Sequence, residues 1–225
     1  MIDLHTHSIF SDGELIPAEL AQRAFHAGYK TIAITDHADH SNYDFIIPRL
    51  VKVCLRITER GNITALPGIE ITHVDPRDIA GLATDSRRMG AKIVIVHGET
   101  LVEPVPAGTN MAAVQADIDI LAHPGLITAE EAKLAVARDI NLEITTRKGH
   151  SLSNGHVVKI ARQFNVKLVF NNDAHSPSDF VGWEMAMRIA RGAGLTKEEI
   201  ATMFNNSQKL ALRAFFPMDP WQLHR

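Results

Sequence analysis

The chain has 225 residues, 45% of them hydrophobic, and a formal net charge of −3. A domain of that size buries roughly 70–75% of its unfolded surface, and the slightly acidic balance argues against a general nucleic-acid surface, which is normally basic. One cysteine excludes an internal disulfide and a cysteine-built zinc ribbon, and no apolar run approaches the ~20 residues of a membrane span.

In chain order the sequence predicts a repeated unit of strand, polar strand end and helix. Met1 to His5 is a strand running into His5-Thr6-His7. An amphipathic helix covers Pro17 to Phe25, with Pro17 suited to a first turn and Gly28 to a helix end. Lys30 to Asp36 is the second strand, and a helix over Tyr43 to Glu59 closes at Gly61. The third strand, Ile63 to Ile71, is interrupted by Pro67-Gly68, and a helix from Pro76 to Arg88 ends at Gly90. Lys92 to His97 is the fourth strand. After the loop Gly98 to Gly108, a short helix over Asn110 to Gln115 leads to the fifth strand, Ile118 to Ala122. Thr128 and Glu131 have capping-box spacing ahead of a helix ending at Ala137. The sixth strand is Asn141 to Thr146, followed by a helix over Asn154 to Phe164 and the seventh strand, Val166 to Asn171. Helices over Ser178 to Gly192, Lys197 to Phe204 and Ser207 to Phe215 complete the chain.

Strands alternating with helices imply a parallel sheet covered by helices. A barrel explains more than an open sheet, because its strand ends ring one mouth and can bring side chains from many strands to one point. The expected fold is α/β: a distorted, TIM-like (β/α)7 barrel with parallel strands and outer helices, one domain spanning residues 1–225.

The 12 histidines are the abnormal count, and most of them stand at strand ends. His5 and His7 are two apart, so both side chains leave the same face of an extended segment. Asp12 follows in a loop, His37 follows the second strand, Glu70 ends the third, and His97 and His123 end the fourth and fifth. Asp173 and His175 repeat the two-residue spacing after the seventh. Imidazoles and carboxylates gathered in this way suit a cluster of borderline transition metals, and such clusters are most often hydrolytic.

His5-Thr6-His7-Ser8 with Ser11-Asp12-Gly13, then Thr35-Asp36-His37, Glu70, His97, His123 and Asp173-Ala174-His175, resembles the PHP family (polymerase and histidinol phosphatase) of metal-dependent phosphoesterases. The resemblance runs from Asp3 to about Ser176 in the family's order and spacing. It implies a site for two or three divalent ions. Carried over by residue, one ion would take His5, His7, Glu70 and Asp173, a second Glu70, His97 and His123, and a third Asp12, His37 and His175. Some family members have histidine where this chain has Asp12, and an oxygen donor there shifts preference toward manganese or iron, with zinc still open. Two cations roughly 3.5–4 Å apart would share a hydroxide aimed at phosphorus, which needs no serine or cysteine nucleophile. Asp36 is a candidate to orient a neighbouring donor or to act as general acid.

Arg147-Lys148-Gly149-His150-Ser151 follows the sixth strand, so it also lies at the mouth. A basic stretch feeding a helix start, with Ser151 or Ser153 as cap, suits a substrate phosphate. Arg147 is the expected clamp, Lys148 its companion, and Arg77 another candidate. His73 is placed to line the pocket, His40 reads as a loop residue, and His26, His156 and His224 as surface or satisfied core. Cys54 reads as inert packing in a helix. The loop Glu99 to Thr109, stiffened by proline, suits a lid. Phe204, Leu210, Leu212, Phe215, Phe216 and Trp221 form an apolar tail that would pack the barrel bottom or an oligomer interface.

The expected function is hydrolysis of a small phosphomonoester, such as an amino-alcohol, nucleoside or sugar phosphate. A nuclease acting on phosphodiesters and a non-enzymatic metal-binding subunit are the rivals. Nucleic acid is not the expected partner, no membrane is implied, and an oligomer is open. The motif begins at Asp3, which leaves no room for a signal peptide, so a cytoplasmic protein is expected.

Overall fold

The computed structural model describes residues 1–216. Its strands are β1 (Ile2–Thr6), β2 (Thr31–Ile34), β3 (His37–Ala38), β4 (Thr64–Ile71), β5 (Ile93–His97), β6 (Ile120–Ala122), β7 (Asn141–Thr145) and β8 (Leu168–Asn171). The helices are α1 (Pro17–His26), α2 (Tyr43–Glu59), α3 (Ile79–Met89), α4 (Thr109–Gln115), α5 (Ala129–Ala137), α6 (Asn154–Phe164), α7 (Trp183–Gly192) and α8 (Lys197–Phe215). All pairings are parallel, in the order β1-β2-β4-β5-β6-β7-β8, and the sheet curls until β8 meets β1. The result is the expected barrel of parallel strands with helices outside it.

The extra strand β3 is a resumption of β2 after a break at Thr35-Asp36. The long β4 pairs its first half with β2 and its second half with β3 and β5. Gly68 sits where the partner changes: a Cβ there would lie 2.6 Å from Thr35 Cγ2 and 2.8 Å from Ile93 O, so no larger residue fits. The seam between β8 and β1 is closed mostly by side chains. Asn171 Oδ1 accepts from Leu4 N (2.8 Å), Asn172 Nδ2 donates to Asp3 Oδ2 (2.6 Å), and His7 N donates to Ala174 O (2.8 Å). These bonds bring the two ends of the chain's motif, His5-His7 and Asp173-His175, side by side.

Two apolar layers hold the barrel. The larger lies between sheet and helices and includes Cys54, buried in α2 as expected. The smaller fills the barrel, where Leu4, Ala33, Leu66, Ile93, Ile95, Ile120, Ala122 and Val169 meet Leu210, Ala211 and Ala214 of α8. The tail therefore does pack the barrel bottom through Leu210, while Leu212, Phe215 and Phe216 are exposed. Trp221 and His224 lie outside the described residues.

Three helix boundaries differ from the sequence reading. Residues 76–78 are a turn, because Asp75 accepts from the N–H and guanidinium of Arg77 and from Asp78 N through its carbonyl. The segment 178–192 splits into a 3-10 turn, Pro177–Asp179, and α7. The two last helices are one, since Asn206 donates to Leu168 O and Ser207 is fully buried, so tertiary contacts carry the helix through the Asn205-Asn206 pair. Among the described residues no helix is long and apolar enough to cross a membrane.

Candidate metal centre

The carboxy-terminal strand ends bring the nine expected donors to one mouth. His5 and His7 leave β1, Glu70 stands near the end of β4, His123 follows β6, and Asp173 follows β8. All five are at most 2% exposed. His5 Nε2 lies 3.1 Å from Glu70 Oε2 and 3.6 Å from Asp173 Oδ1. His7 Nε2 lies 3.2 Å from Asp173 Oδ1 and 3.4 Å from Glu70 Oε2. His123 Nε2 is 3.7 Å from Glu70 Oε1 and 3.6 Å from Asp173 Oδ2. A second group forms on the solvent side of His7, where Asp12 Oδ1 lies 3.2 Å from His175 Nε2 and 3.6 Å from His37 Nε2. His97 Nε2 lies 3.2 Å from Glu103 Oε2, and its ring centroid lies 4.4 Å from that of His123.

The proton positions follow from the partners of the far ring nitrogens. His175 Nδ1 faces the carbonyl of Asp173 at 3.0 Å, and His5 Nδ1 faces Glu143 Oε1 at 2.8 Å. Carbonyl and carboxylate oxygens only accept, so Nδ1 carries the proton in both rings. In the neutral ring the Nε2 lone pair then points at a carboxylate lone pair, Asp12 for His175 and Glu70 for His5. Two lone pairs at such distances repel unless a proton or a metal ion lies between them. The buried Nε2 atoms of His5, His7 and His123, both Glu70 oxygens and Asp173 Oδ1 have no hydrogen-bond partner, which is uncommon for buried polar atoms. Donors of this kind, in this arrangement, fit divalent metal ions.

The electrostatics show the same conflict. Burial alone would push the His5 imidazole down, but the carboxylates of Glu70, Glu143 and Asp173 hold it well above its ordinary range. Burial and the neighbouring His37 hold His7 well below it, and burial with His97 does the same to His123. Burial pushes the Asp173 carboxyl up to about 6, while Glu70, against its own burial, is held well below by His5 and His37. Three non-glycine residues here, His73, His123 and Asp173, have φ of +54°, +27° and +55°. Strained backbone of this kind gathers at functional sites.

The sequence profile of the PHP domain matches residues 3–162. The chain belongs to the PHP domain family. An uncharacterized protein of Methanocaldococcus jannaschii is 46% identical over 200 residues, 88% of this chain and 92% of that protein. Ribonuclease P protein component 3 of Methanosarcina barkeri is 26% identical over 88% of this chain and 82% of its own length. A probable phosphatase of Thermoanaerobacter is 23% identical over 88% of each. Among solved structures, a chain of archaeal ribonuclease P with mature tRNA aligns with a TM-score of 0.73 at 18% identity, covering 98% of this chain and 94% of that one. Histidinol phosphate phosphatase of Lactococcus lactis, complexed with zinc, L-histidinol and phosphate, aligns with a TM-score of 0.59 at 16% identity, covering 87% and 94%.

In this PHP domain several residues do work that the sequence did not reveal. Glu143, fully buried on β7, fixes His5 through Oε1, which also accepts from Asn171 Nδ2, and takes the backbone N–H of His123 on Oε2. Such partners fix the orientation and basicity of a metal-binding imidazole. Its signal was only a carboxylate inside an apolar strand. Glu103 and His150 also join the mouth; His150 stands in the basic stretch expected there, but nothing in the sequence marks either residue as a donor. Asp36 supports a donor indirectly, through the loop that carries it. Its two oxygens accept from Ser8 N, Ser8 Oγ and Ser11 Oγ, all at 2.7 Å, which anchors the loop that carries Asp12.

Arg147 stands beside the cluster, with Nη1 3.3 Å from Asp173 O and Nε 3.7 Å from Asp173 Oδ2. Lys148 is exposed. The anticipated cap differs: Ser153 occupies the cap position of α6, but its hydroxyl donates to His150 O and caps nothing. Arg77 is highly exposed and paired with Asp75, away from the cluster. His40 is exposed, with Nε2 3.5 Å from Asp78, and His156 Nε2 donates to Ile127 O, so neither belongs to the site.

Proposed function

We propose that this PHP domain is a metal-dependent phosphoesterase that hydrolyses a small phosphomonoester. In this reading His5, His7, Asp12, His37, Glu70, His97, His123, Asp173 and His175 hold two or three divalent ions, manganese, iron or zinc. The observation that carries it is the set of buried imidazole nitrogens and carboxylate oxygens of His5, His7, Glu70, His123 and Asp173 that lie close together without a hydrogen-bond partner. Divalent ions in such a seat supply Lewis-acid polarisation of a phosphoryl group and a nucleophile at neutral pH.

The chain's own residues set the geometry. Glu143 holds the His5 ring, Asp36 holds the Asp12 loop, and the near-total burial of Glu70 and Asp173 excludes bulk water from the inner donors, which strengthens every charge interaction there. Arg147 borders the open side and can donate two parallel N–H bonds to a phosphoryl oxygen pair. Ser8 is fully buried, which argues against a covalent serine nucleophile. The names of two relatives, the probable phosphatase and the histidinol phosphate phosphatase, support the phosphomonoester class.

A second reading, an RNA-associated role, is favoured by the likeness to ribonuclease P protein component 3. It reopens a partner that net charge had set aside, and salt-dependent binding of a structured RNA by the metal-loaded protein would promote it. The test of the first reading is phosphate release from a panel of monoesters, with metal content measured on the same sample. Release is expected from wild type and not from His7→Ala, and Arg147→Ala should raise KM by about 10-fold or more, the worth of a hydrogen bond to a charged group. Protein full of metal and silent on every monoester would contradict it.

A further inference from the structure

We propose that Asp3 and Asn172 are positioning residues of the metal centre: they form a buried clasp across the barrel seam that fixes the bend aiming Asp173 at His5 and His7. The proposal rests on the metal-centre reading above for the presence of divalent ions. The need for a clasp lies in the seam. Every other pair of neighbouring strands shares a run of paired residues, whereas β1 meets the chain beyond β8 at one bridge, Thr6 with Ala174. Two backbone bonds accompany it, His7 N to Ala174 O at 2.8 Å and Ala174 N to His5 O at 3.4 Å. Asp173 sits just before that bridge, outside the strand, with φ at +55°. Its carboxylate nonetheless comes within 3.6 Å of His5 Nε2 and 3.2 Å of His7 Nε2.

Asp3 supplies what the seam lacks. It is fully buried, and a buried carboxylate is costly unless it is hydrogen-bonded. Its partners are three N–H groups on two residues. Oδ1 accepts from His5 N (3.1 Å) and Asn172 N (3.3 Å), and Oδ2 accepts from Asn172 Nδ2 (2.6 Å). One partner is itself an expected metal donor, and the other immediately precedes one. Asn172, also buried, is held from two further sides. Its Nδ2 lies 2.6 Å from the Tyr29 hydroxyl, which donates to Val181 O at 2.8 Å. The Thr146 hydroxyl lies 3.3 Å from both its Oδ1 and its carbonyl oxygen. Thr146 adjoins Arg147, so the clasp reaches the residue that borders the open side.

The residue types suit the task. A carboxylate only accepts, so it fits a position faced by donors alone, and it fixes the Asn172 amide with its nitrogen toward Asp3. Asp3→Asn would set an NH2 group against N–H donors on one side or the other. It would fit only if Asn172 turned its amide over, and Tyr29 would then have to donate to Asn172 rather than to Val181 O. Asn172→Ala would leave Asp3 Oδ2 buried without its partner, which is costly for a charged group. In both variants the bend before Asp173 loses its tie to β1.

Wild type, Asp3→Asn, Asn172→Ala, the double variant and Leu210→Ala, each full-length, are compared by zinc affinity in chelator competition and by the visible spectrum of the cobalt(II)-loaded protein, which reports coordination geometry. Asp3→Asn and Asn172→Ala should each weaken zinc binding by about 10-fold or more, the usual effect of losing a group that orients a ligand, and should alter the cobalt spectrum. The double variant should bind no more weakly than the weaker of the two singles, since both act through one contact. Leu210→Ala, a core truncation at the barrel bottom, should melt lower and keep wild-type affinity and spectrum. Wild-type affinity and spectrum in both single variants, whatever their Tm, would overturn the proposal, and so would a double variant whose loss is the product of the two. An equal loss of affinity in Leu210→Ala would overturn it too, since the effect would then be general instability. A wild type that binds no zinc, cobalt, manganese or iron would remove the metal-centre reading itself, and the proposal with it.

Discussion

At the amino-terminal end of the strands, α8 pushes Leu210, Ala211 and Ala214 into the barrel, and the charges around them are paired. Asp119 accepts from Arg213 at 2.9 Å through one oxygen, and from Arg87 (2.7 Å) and Val94 N (2.8 Å) through the other. At the carboxy-terminal end, His5, His7, Glu70, His123 and Asp173 are just as buried and are not satisfied by protein groups. Of the nine buried side-chain nitrogens and oxygens without a partner among the described residues, eight belong to those five residues and the other is Ser86 Oγ. One end is completed by the chain itself, whereas the other presents unpaired donors of the kind that fit divalent cations. Local rules of good packing are broken mostly at the mouth, as functional sites commonly break them.

The largest effect expected from breaking this contrast is at the bottom. Leu210→Ala should cost about 2–5 kcal/mol, a fall in Tm of roughly 5–15 °C for a chain of this size, with metal content unchanged. A parallel loss of metal in calorimetry and elemental analysis would show that the two ends are coupled. Next comes the support of the mouth: Glu143→Gln should weaken metal binding about 10–100-fold in chelator competition, the usual effect of removing a residue that orients a ligand. An unchanged affinity would deny Glu143 that role. The smallest effect is expected at the start of α8, where Glu199 accepts two bonds from Arg162 and completes the Thr196 capping box.

The Arg162 guanidinium holds the Glu199 carboxyl down to about 2. A folded pKa below the ordinary value means that the contribution is present above the ordinary carboxylate range and is lost as pH falls toward about 2. Glu199→Gln should therefore lower Tm by no more than about 2 °C at neutral pH, since exposed pairs are weak, and the gap to wild type should close on acidification. A gap that widens in acid would contradict the sign.

Much of the mouth was legible because its donors stand at strand ends, where a two-residue spacing such as His5-His7 or Asp173-His175 fixes a shared face. The barrel followed from the alternation of strands and helices. Glu143 was hidden because a carboxylate inside a strand carries no sign of its partner across the sheet. Glu103 was hidden because a loop of two prolines and two glutamates does not say where it folds back, and His150, in the basic stretch placed at the mouth, carried no mark of a partner on that loop. The break expected at Asn205-Asn206 reflects local propensity alone, which the contact with Leu168 overrides. The helix cap expected from Ser153 is absent for the same kind of reason: its hydroxyl finds His150 O first.

The most direct measurement is the thermal melt of chelator-treated protein with and without added manganese or zinc, wild type beside His7→Ala. Metal at about 1,000 times its Kd should stabilise wild type by about 4 kcal/mol, a rise of roughly 8–16 °C in Tm, and should raise His7→Ala far less. A wild type that melts at the same temperature with and without divalent metal would contradict the claim that cations complete the mouth.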